Sequence, residues 1–334
     1  MPNIRVMHFG LGPIGAAIAK QVATRAGFKI VGAIDIDPAK VDRDLGDVVG
    51  LPKRIGVKVS GDAAKALKAA KPDVVVLCTS SSIKKVLPQI ELILKSKIPI
   101  VSTVEELSYP GYTHIRQARQ IHTMAKKAKV GVLGTGVNPG FAMDALPIAL
   151  TAVCERVDRI VVNRVQDARI RRLPFQQKIG AGLTTEQFQK KVHDGSVRHV
   201  GLTESIAMIA DAMGWTLDRI TDDIQPKLAT VTISSEFLAV DPGYVCGIIQ
   251  DGVGYRKNEP VIRLHMEAYL GSPETYDSVD IEGSPNISSK IAGGIHGDVA
   301  TASIVVNMIP KVLSAPPGLH TMRDLPLPSF FPGR

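Results

Sequence analysis

The chain has 334 residues, of which 45% are hydrophobic and 22% charged, a balance that allows two globular domains and excludes a disordered or low-complexity chain. No apolar run approaches the length of a membrane span, and Met1-Pro2-Asn3 leads straight into the first strand, so no membrane contact and a cytoplasmic location are expected. The net charge of +8 comes without interleaved aromatics or any nucleic-acid motif, which argues against nucleic acid and for a positive field that attracts an anionic cofactor.

Ile4 to Phe9 reads as a buried strand that runs into Gly10-Leu11-Gly12-Pro13-Ile14-Gly15 and then a helix over 14–25. The glycines stand where a chain must turn sharply, admit a pyrophosphate to its backbone and pack helix on strand. The helix N-terminus offers N–H groups to the phosphates. Asp35 ends a second strand, 29–35, where a carboxylate can accept both ribose hydroxyls. Gly10, Gly12, Pro13, Ile14, Gly15 and Asp35 are therefore candidate contacts to a nicotinamide dinucleotide. Asp35 favours NAD, because it repels a 2′-phosphate, whereas Lys40 and Arg43 could neutralise one and admit NADP.

Strands at 73–79, 98–102 and 130–134 alternate with helices at 62–70, 83–95 and 113–128, the pattern of a doubly wound parallel α/β sheet of Rossmann type. Lysines from Lys65 to Lys97 are spaced like the solvated faces of these helices. Thr79, Ser80, Ser81 and Ser82 lie at the carboxyl end of a central strand, where they either line the cofactor or cap the helix from Ile83. Glu105 and Glu106 follow the next strand and are candidates for general acid/base work. The spacing also allows a capping box, Ser102 to Glu105 or Thr103 to Glu106, and Glu105 is favoured for chemistry. After the last parallel strand, Gly134 to Phe141 forms a backbone-rich turn. Asn138 or its neighbours could meet the nicotinamide carboxamide, and Phe141 could wall a substrate pocket or simply join the core.

Beyond Pro147 the periodicity changes. Residues 158–166, 227–237, 244–251, 260–270 and 277–282 read as strands of a largely antiparallel sheet in a second, α+β domain. Asp251-Gly252 and Lys257-Asn258 mark turns. Helices are expected at 184–193 and 203–213, capped by Thr184 and Thr203. The apolar segment 298–313 is helical, with Pro310 expected to kink or end it and Asp298 a candidate cap; it should pack on one of the two sheets. A Pro-rich tail from 316 drapes over the surface. The expected boundaries are 1–140, 141–315 and 316–334. Arg164, Arg169, Arg171, Arg172 and Lys178 form either an anion-binding lid or a solvated loop, and His265 lies within a strand, most simply as a core histidine. Cys78, Cys154 and Cys246 are scattered and read as reduced, buried thiols. No Ser-His-Asp order, HExxH or P-loop is present, which ranks hydrolysis and metal chemistry low.

The glycine loop, Ser102-Thr103-Val104-Glu105-Glu106-Leu107-Ser108-Tyr109-Pro110, the 134–141 turn and Gly294-Ile295-His296-Gly297-Asp298-Val299-Ala300-Thr301-Ala302 together resemble the 2,4-diaminopentanoate dehydrogenases. Their relatives are the native amine dehydrogenases, within the wider group sharing the fold of dihydrodipicolinate reductase. The resemblance spans nearly the whole chain. It implies a homodimer that interconverts an amine with a ketone plus ammonia, using NAD or NADP, with an active site between the domains. It also implies an essential glutamate at Glu105, or less directly Glu106, and a pocket drawing on Phe141, Arg164 or Arg169, and His265. The paired histidines of the dihydrodipicolinate reductases proper are missing here, which argues against that substrate. The alternatives are an imine reductase or diamino acid dehydrogenase of the same group, or an NAD(P)-sensing protein without turnover.

Overall fold

A computed structural model describes residues 3–332. The chain forms two compact units, one made of residues up to 141 together with those from 296 onward, the other of residues 142–295. The expected boundary at 315 is thus corrected to 295, and the last forty or so residues return to the first unit.

The first unit is built on a parallel sheet whose strands are β1 (Ile4–Phe9), β2 (Phe28–Ile34), β3 (Val59–Ser60), β4 (Val74–Leu77), β5 (Ile100–Ser102) and β6 (Gly131–Gly134). A seventh strand, Gly318–His320, pairs in parallel with β6 and gives the order 318–320, β6, β5, β4, β1, β2, β3. The tail therefore adds an edge strand before it runs over the surface, where Phe331 meets Phe28 edge-on at 5.3 Å. Consecutive crossovers reverse direction beside β1, the position at which open α/β sheets bind ligands. All four residues of β4 are buried, as a strand covered on both faces requires.

Helix Ile83–Lys95 buries Ile83, Val86, Ile90, Ile93 and Leu94, an apolar stripe of helical period. It shares one face of the sheet, and the core around Met7, Phe9 and Val75, with helices Ala63–Ala70 and Ile115–Ala128. Helices Pro13–Thr24 and Gly297–Leu313 pack together and against the sheet. Gln21 Nε2 reaches Ser303 Oγ at 3.0 Å, and an Arg25 guanidinium N–H reaches Asn307 Oδ1 at 2.7 Å. The helix continues through Pro310 to Leu313, contrary to expectation. Pro310 falls in its last turn, where a proline interrupts little of the remaining ladder. His296, not Asp298, accepts the cap hydrogen bond.

The second unit carries β7 (Arg156–Asp167), β8 (Arg219–Leu228), β9 (Ile233–Ser234), β10 (Ala239–Val240), β11 (Val245–Arg256), β12 (Glu259–Tyr269), β13 (Tyr276–Ser284) and β14 (Ile287–Ala292). Its main sheet has the order β14, β13, β7, β12, β11, β8, antiparallel throughout except for the parallel pair β12 and β7. Asp251-Gly252, expected as a turn, lies in the middle of β11. A Cβ on Gly252 would approach Ile206 at 2.8 Å, so this glycine makes room for helix Leu202–Ala212 rather than a turn. The turn is at Lys257-Asn258, both left-handed, with φ 53° and 63°. The expected strand 227–237 gives way to β8 and an irregular stretch containing β9. Thr184 caps helix Thr185–His193 through a full capping box, whereas Thr203 lies inside a helix capped by Gly201.

His8 is the one histidine in the sheet core, 1% exposed, and neither ring nitrogen has a partner among the described residues. By alternation it faces away from Met7 and Phe9. Burial pulls its pKa down from 6.5 to about 4, so it folds as the neutral imidazole. The unfolded chain takes up this proton first as pH falls, so the stability held above pH 6.5 is lost progressively toward pH 4. The loss should reach roughly 3 kcal/mol. In His8→Leu, urea midpoints measured at several pH values should fall less steeply across that range; an unchanged slope would refute the burial argument.

Candidate active site

The carboxyl edge of the parallel sheet gathers the first group of candidate residues. Gly10 has φ +96°, and its N–H donates to the Ile34 carbonyl at 2.8 Å. A Cβ there would lie 2.6 Å from the Cys78 carbonyl oxygen, and one on Gly15 would lie 2.0 Å from the Gly10 oxygen. These two glycines are demanded by the fold itself. Gly12 differs, because a Cβ on it would meet nothing within 4 Å. It caps helix Pro13–Thr24 without a side chain, and Pro13 occupies the first helical position. The helix start is thus open on the side of Gly12, at the end where helix N-termini accept phosphates.

Asp35 follows β2 and is fixed by the same loop. Its Oδ2 accepts from the Leu11 N–H at 2.7 Å and its Oδ1 from the Asp37 N–H at 2.9 Å. Lys40 Nζ lies 3.5 Å from Asp35 and 3.2 Å from Asp37. Hydrogen bonding from the Ala39 N–H, then the Lys40 contact, holds the Asp37 carboxyl below its usual range. Arg43 is exposed, its guanidinium donating to the Ala39 carbonyl at 3.1 Å. Two carboxylates and two cations therefore share this corner.

Next to the glycine loop, Thr79 Oγ1 donates to Gln89 Oε1 at 2.5 Å, Ser80 Oγ accepts from the Ser82 N–H at 3.2 Å, and the Ser81 carbonyl accepts from the Glu106 N–H at 3.2 Å. Burial pushes the Cys78 thiol up to about 11, which keeps it protonated and out of nucleophilic chemistry. All three cysteines are free, and Cys246 is 2% exposed.

Glu105 and Glu106 sit in a single turn of 3-10 helix after β5, Glu105–Leu107, and both are half-buried. The turn starts after Val104 with no side-chain cap, so neither Ser102 nor Thr103 is its cap residue. Glu106 instead caps a different helix, its Oε2 accepting from the Ile83 N–H at 2.8 Å and lying 3.1 Å from His114 Nε2. It ties the loop after β5 to the loop after β4. Ser82 has no side-chain part in that cap. His114 was missed in the sequence, and nothing in its spacing could have disclosed a partner.

The 134–141 turn packs against this region. The Thr135 N–H donates to the Ser102 carbonyl at 2.8 Å, and the Val137 N–H reaches Thr301 Oγ1 at 3.3 Å. A Cβ on Gly134 would lie 2.5 Å from the Leu107 backbone, and Gly140, at φ +125°, would crowd the Gly136 nitrogen at 2.5 Å. Asn138 is 9% exposed, and Phe141 is half-buried at the end of the first unit.

The second unit does not bring its expected residues together. Arg164 pairs with Met266 across β7 and β12, and His265 pairs with Asn163, so the two side chains leave opposite faces of the sheet. Arg164 is 2% exposed and forms a buried ion pair with Asp277. Its guanidinium also donates to the Ile295 carbonyl at 2.9 Å, while Asp277 Oδ2 accepts from the Ile295 N–H at 2.7 Å. Desolvation lowers its pKa against the opposing effect of Asp277. In this structure the arginine clamps Asp277 and the Ile295 backbone within the second unit. Arg169 is half-exposed and holds Asp167, with Nε to Oδ2 at 2.8 Å. His265 lies between Asp251 Oδ1 at 3.0 Å and Glu267 Oε1 at 3.1 Å.

Residues 141–333 match the model of the 2,4-diaminopentanoate dehydrogenase C-terminal domain, and residues 4–132 match that of the dihydrodipicolinate reductase N-terminus. The 2,4-diaminopentanoate dehydrogenase of Acetoanaerobium sticklandii is 35% identical, over the full chain and 96% of the relative. The chain belongs to the 2,4-diaminopentanoate dehydrogenase family. An amine dehydrogenase of Streptomyces virginiae is 25% identical over 97% of this chain and 96% of its own length. The amine dehydrogenase structure from Mycobacterium smegmatis superposes with a TM-score of 0.88 at 26% identity, covering 99% of this chain and 98% of that one. A dihydrodipicolinate reductase from Paenisporosarcina sp. TG-14, with a TM-score of 0.55 at 15% identity, shares the fold. Like the family, this protein is an NAD(P)-dependent oxidoreductase of the amine dehydrogenase group. The open cradle at Gly12 and the anchored carboxylate of Asp35 fit such a dinucleotide.

The glycines separate two roles. Gly12→Ala should melt as the unaltered protein does but bind dinucleotide more weakly in a fluorescence titration. Gly15→Ala should lower the melting temperature as well, because its methyl group overlaps backbone. Equal melting temperatures for the two would contradict this geometry.

Proposed function

We propose that the protein interconverts a small amine or diamine with a ketone or aldehyde plus ammonia, that Glu105 is its acid/base, and that NAD is the preferred cofactor. The observation that carries this reading is the place of the Glu-Glu turn at the ligand-binding edge of the sheet, held there by Glu106, whose carboxylate accepts from the Ile83 N–H and meets His114.

The dinucleotide supplies or removes the hydride when bound. The remaining chemistry falls to the chain. Ammonium must lose a proton before it can attack a carbonyl, and the resulting iminium must be held as a cation away from water. One carboxylate meets both needs, as base for ammonium and as counter-charge for the iminium. A rigid support keeps that carboxylate in place: Glu106 is tied to two other segments, and the Glu105 carbonyl accepts from the Ser108 N–H at 3.1 Å and its hydroxyl at 2.8 Å. Asn138, fixed in the packed 134–141 turn, would meet the carboxamide end of the cofactor. Thr79, Ser80 and Ser81 would lie along it, and Phe141 would wall the substrate.

Asp35 and Asp37 support the lean to NAD, since both disfavour a 2′-phosphate, while Lys40 and Arg43 leave NADP usable. The arginine clamp that a diamino acid substrate would need is not provided by Arg164 or Arg169, each engaged by its own aspartate. A homodimer working in the cytoplasm completes the proposal; no helix among the described residues is long and apolar enough to cross a membrane.

The test follows NADH and NADPH absorbance with short ketones and aldehydes, with and without ammonium. Oxidation that depends on ammonium is expected, faster with NADH. Glu105→Gln should lose at least about two decades of turnover with its cofactor affinity intact. Oxidation without ammonium would instead indicate a carbonyl or imine reductase, and near-normal amination by Glu105→Gln would remove Glu105 from the chemistry.

A further inference from the structure

We propose that the amino-terminal edge of the parallel sheet, opposite the glycine loop, holds a binding site for a small polyphosphate anion. Helices Ala63–Ala70 and Ile83–Lys95, with the turn leading into β5, enclose a hollow of about 540 Å³. Its charged lining consists of Lys68, Lys71, Lys95 and Lys97, with no carboxylate. Leu67 and Ile98 form part of an apolar floor. A second hollow of about 470 Å³ shares Lys95 and Lys97 and adds Lys127 from helix Ile115–Ala128, against a single carboxylate, Glu91. Both volumes fall within the range of small-molecule sites, about 300–1,000 Å³.

The simplest competing explanation is that lysines near helix C-termini offset helix dipoles. The magnitudes do not support it as sufficient. Each C-terminus presents about half a negative charge, so the two helices around the first hollow supply roughly one, against four ammonium groups. Nor do carboxylates balance them. Between residues 62 and 98 there are seven lysines and three acids, Asp62, Asp73 and Glu91. Asp62 and Asp73 line neither hollow, and Glu91 lines only the second.

The backbone adds a further sign. Lys71, Lys97 and Lys129 adopt left-handed conformations, with φ 44°, 57° and 61°, at turns where glycine is the relaxed choice. At three neighbouring turns the chain keeps a cation where glycine would ease the backbone. A clustered phosphate chain matches four ammonium groups on long stems that can converge on it. Because the stems are exposed, binding should be strong only at low salt.

The test titrates tripolyphosphate calorimetrically into the full protein at about 50 mM salt, a level at which screening is modest. Three proteins are compared: the unaltered chain, the triple variant Lys68→Gln/Lys95→Gln/Lys97→Gln, and Gly12→Ala. Melting curves confirm that the triple variant is folded. The expected result is one site in the unaltered chain, affinity reduced at least about tenfold in the triple variant, and no change in Gly12→Ala. Absence of binding, equal affinity in the triple variant, or loss confined to Gly12→Ala would each overturn the proposal. The last outcome would place the anion at the glycine loop. None of these readings depends on amine turnover, so failure here and failure of the amination assay are separate results.

Discussion

The structure of the nucleotide-binding unit depends on one close approach of backbone to backbone. The chain leaving β1 passes so near the end of β4 that Gly10 has no room for a side chain, and Gly15 sits directly on the Gly10 carbonyl. That contact sets the start of helix Pro13–Thr24, beside the open space at Gly12. It also brings the Leu11 N–H to Asp35, so the carboxylate that follows β2 is fixed by the glycine loop. A substitution that pushed the two backbones apart would disturb every one of these features together.

A second constraint organises the neighbouring strand ends. Glu106 joins the turn after β5 to the helix that follows β4, and the Thr135 N–H joins the turn after β6 to β5. Three loops that carry candidate chemistry are thereby locked to one another through backbone groups. Precise placement of an acid/base needs such support, because a small displacement of a reacting group costs much of its effect. In the second unit the comparable lock is the Arg164 and Asp277 pair, which grips both the N–H and the carbonyl of Ile295, the last residue of that unit. Losing one partner of such a buried pair typically costs about 3–5 kcal/mol.

Much of this was legible in order along the chain. The glycine loop, Asp35 and the run of buried strands announced a dinucleotide fold because each residue type there answers a local backbone or charge requirement. The Glu-Glu turn was also visible, as was the capping box at Thr184. Errors arose where distant segments decide the outcome. Gly252 looks like a turn until helix Leu202–Ala212 is seen lying on it. Arg164 and His265, both basic and both in strands, were implied by the resemblance to share one pocket, yet register sends them to opposite faces.

Local sequence therefore determined the glycine-rich turn, the strand and helix succession of the first 135 or so residues, and the types of group available at the carboxyl edge. These follow from steric limits on φ and from periodicity, which act over a few residues. Tertiary structure alone decided that the C-terminal helix and the strand Gly318–His320 belong to the first sheet. It also decided that Glu106 caps Ile83, and that Arg164 is buried against Asp277 rather than facing solvent. Each of those outcomes joins residues 23 or more positions apart, and no local rule specifies which distant partner will satisfy a buried charge or an open sheet edge.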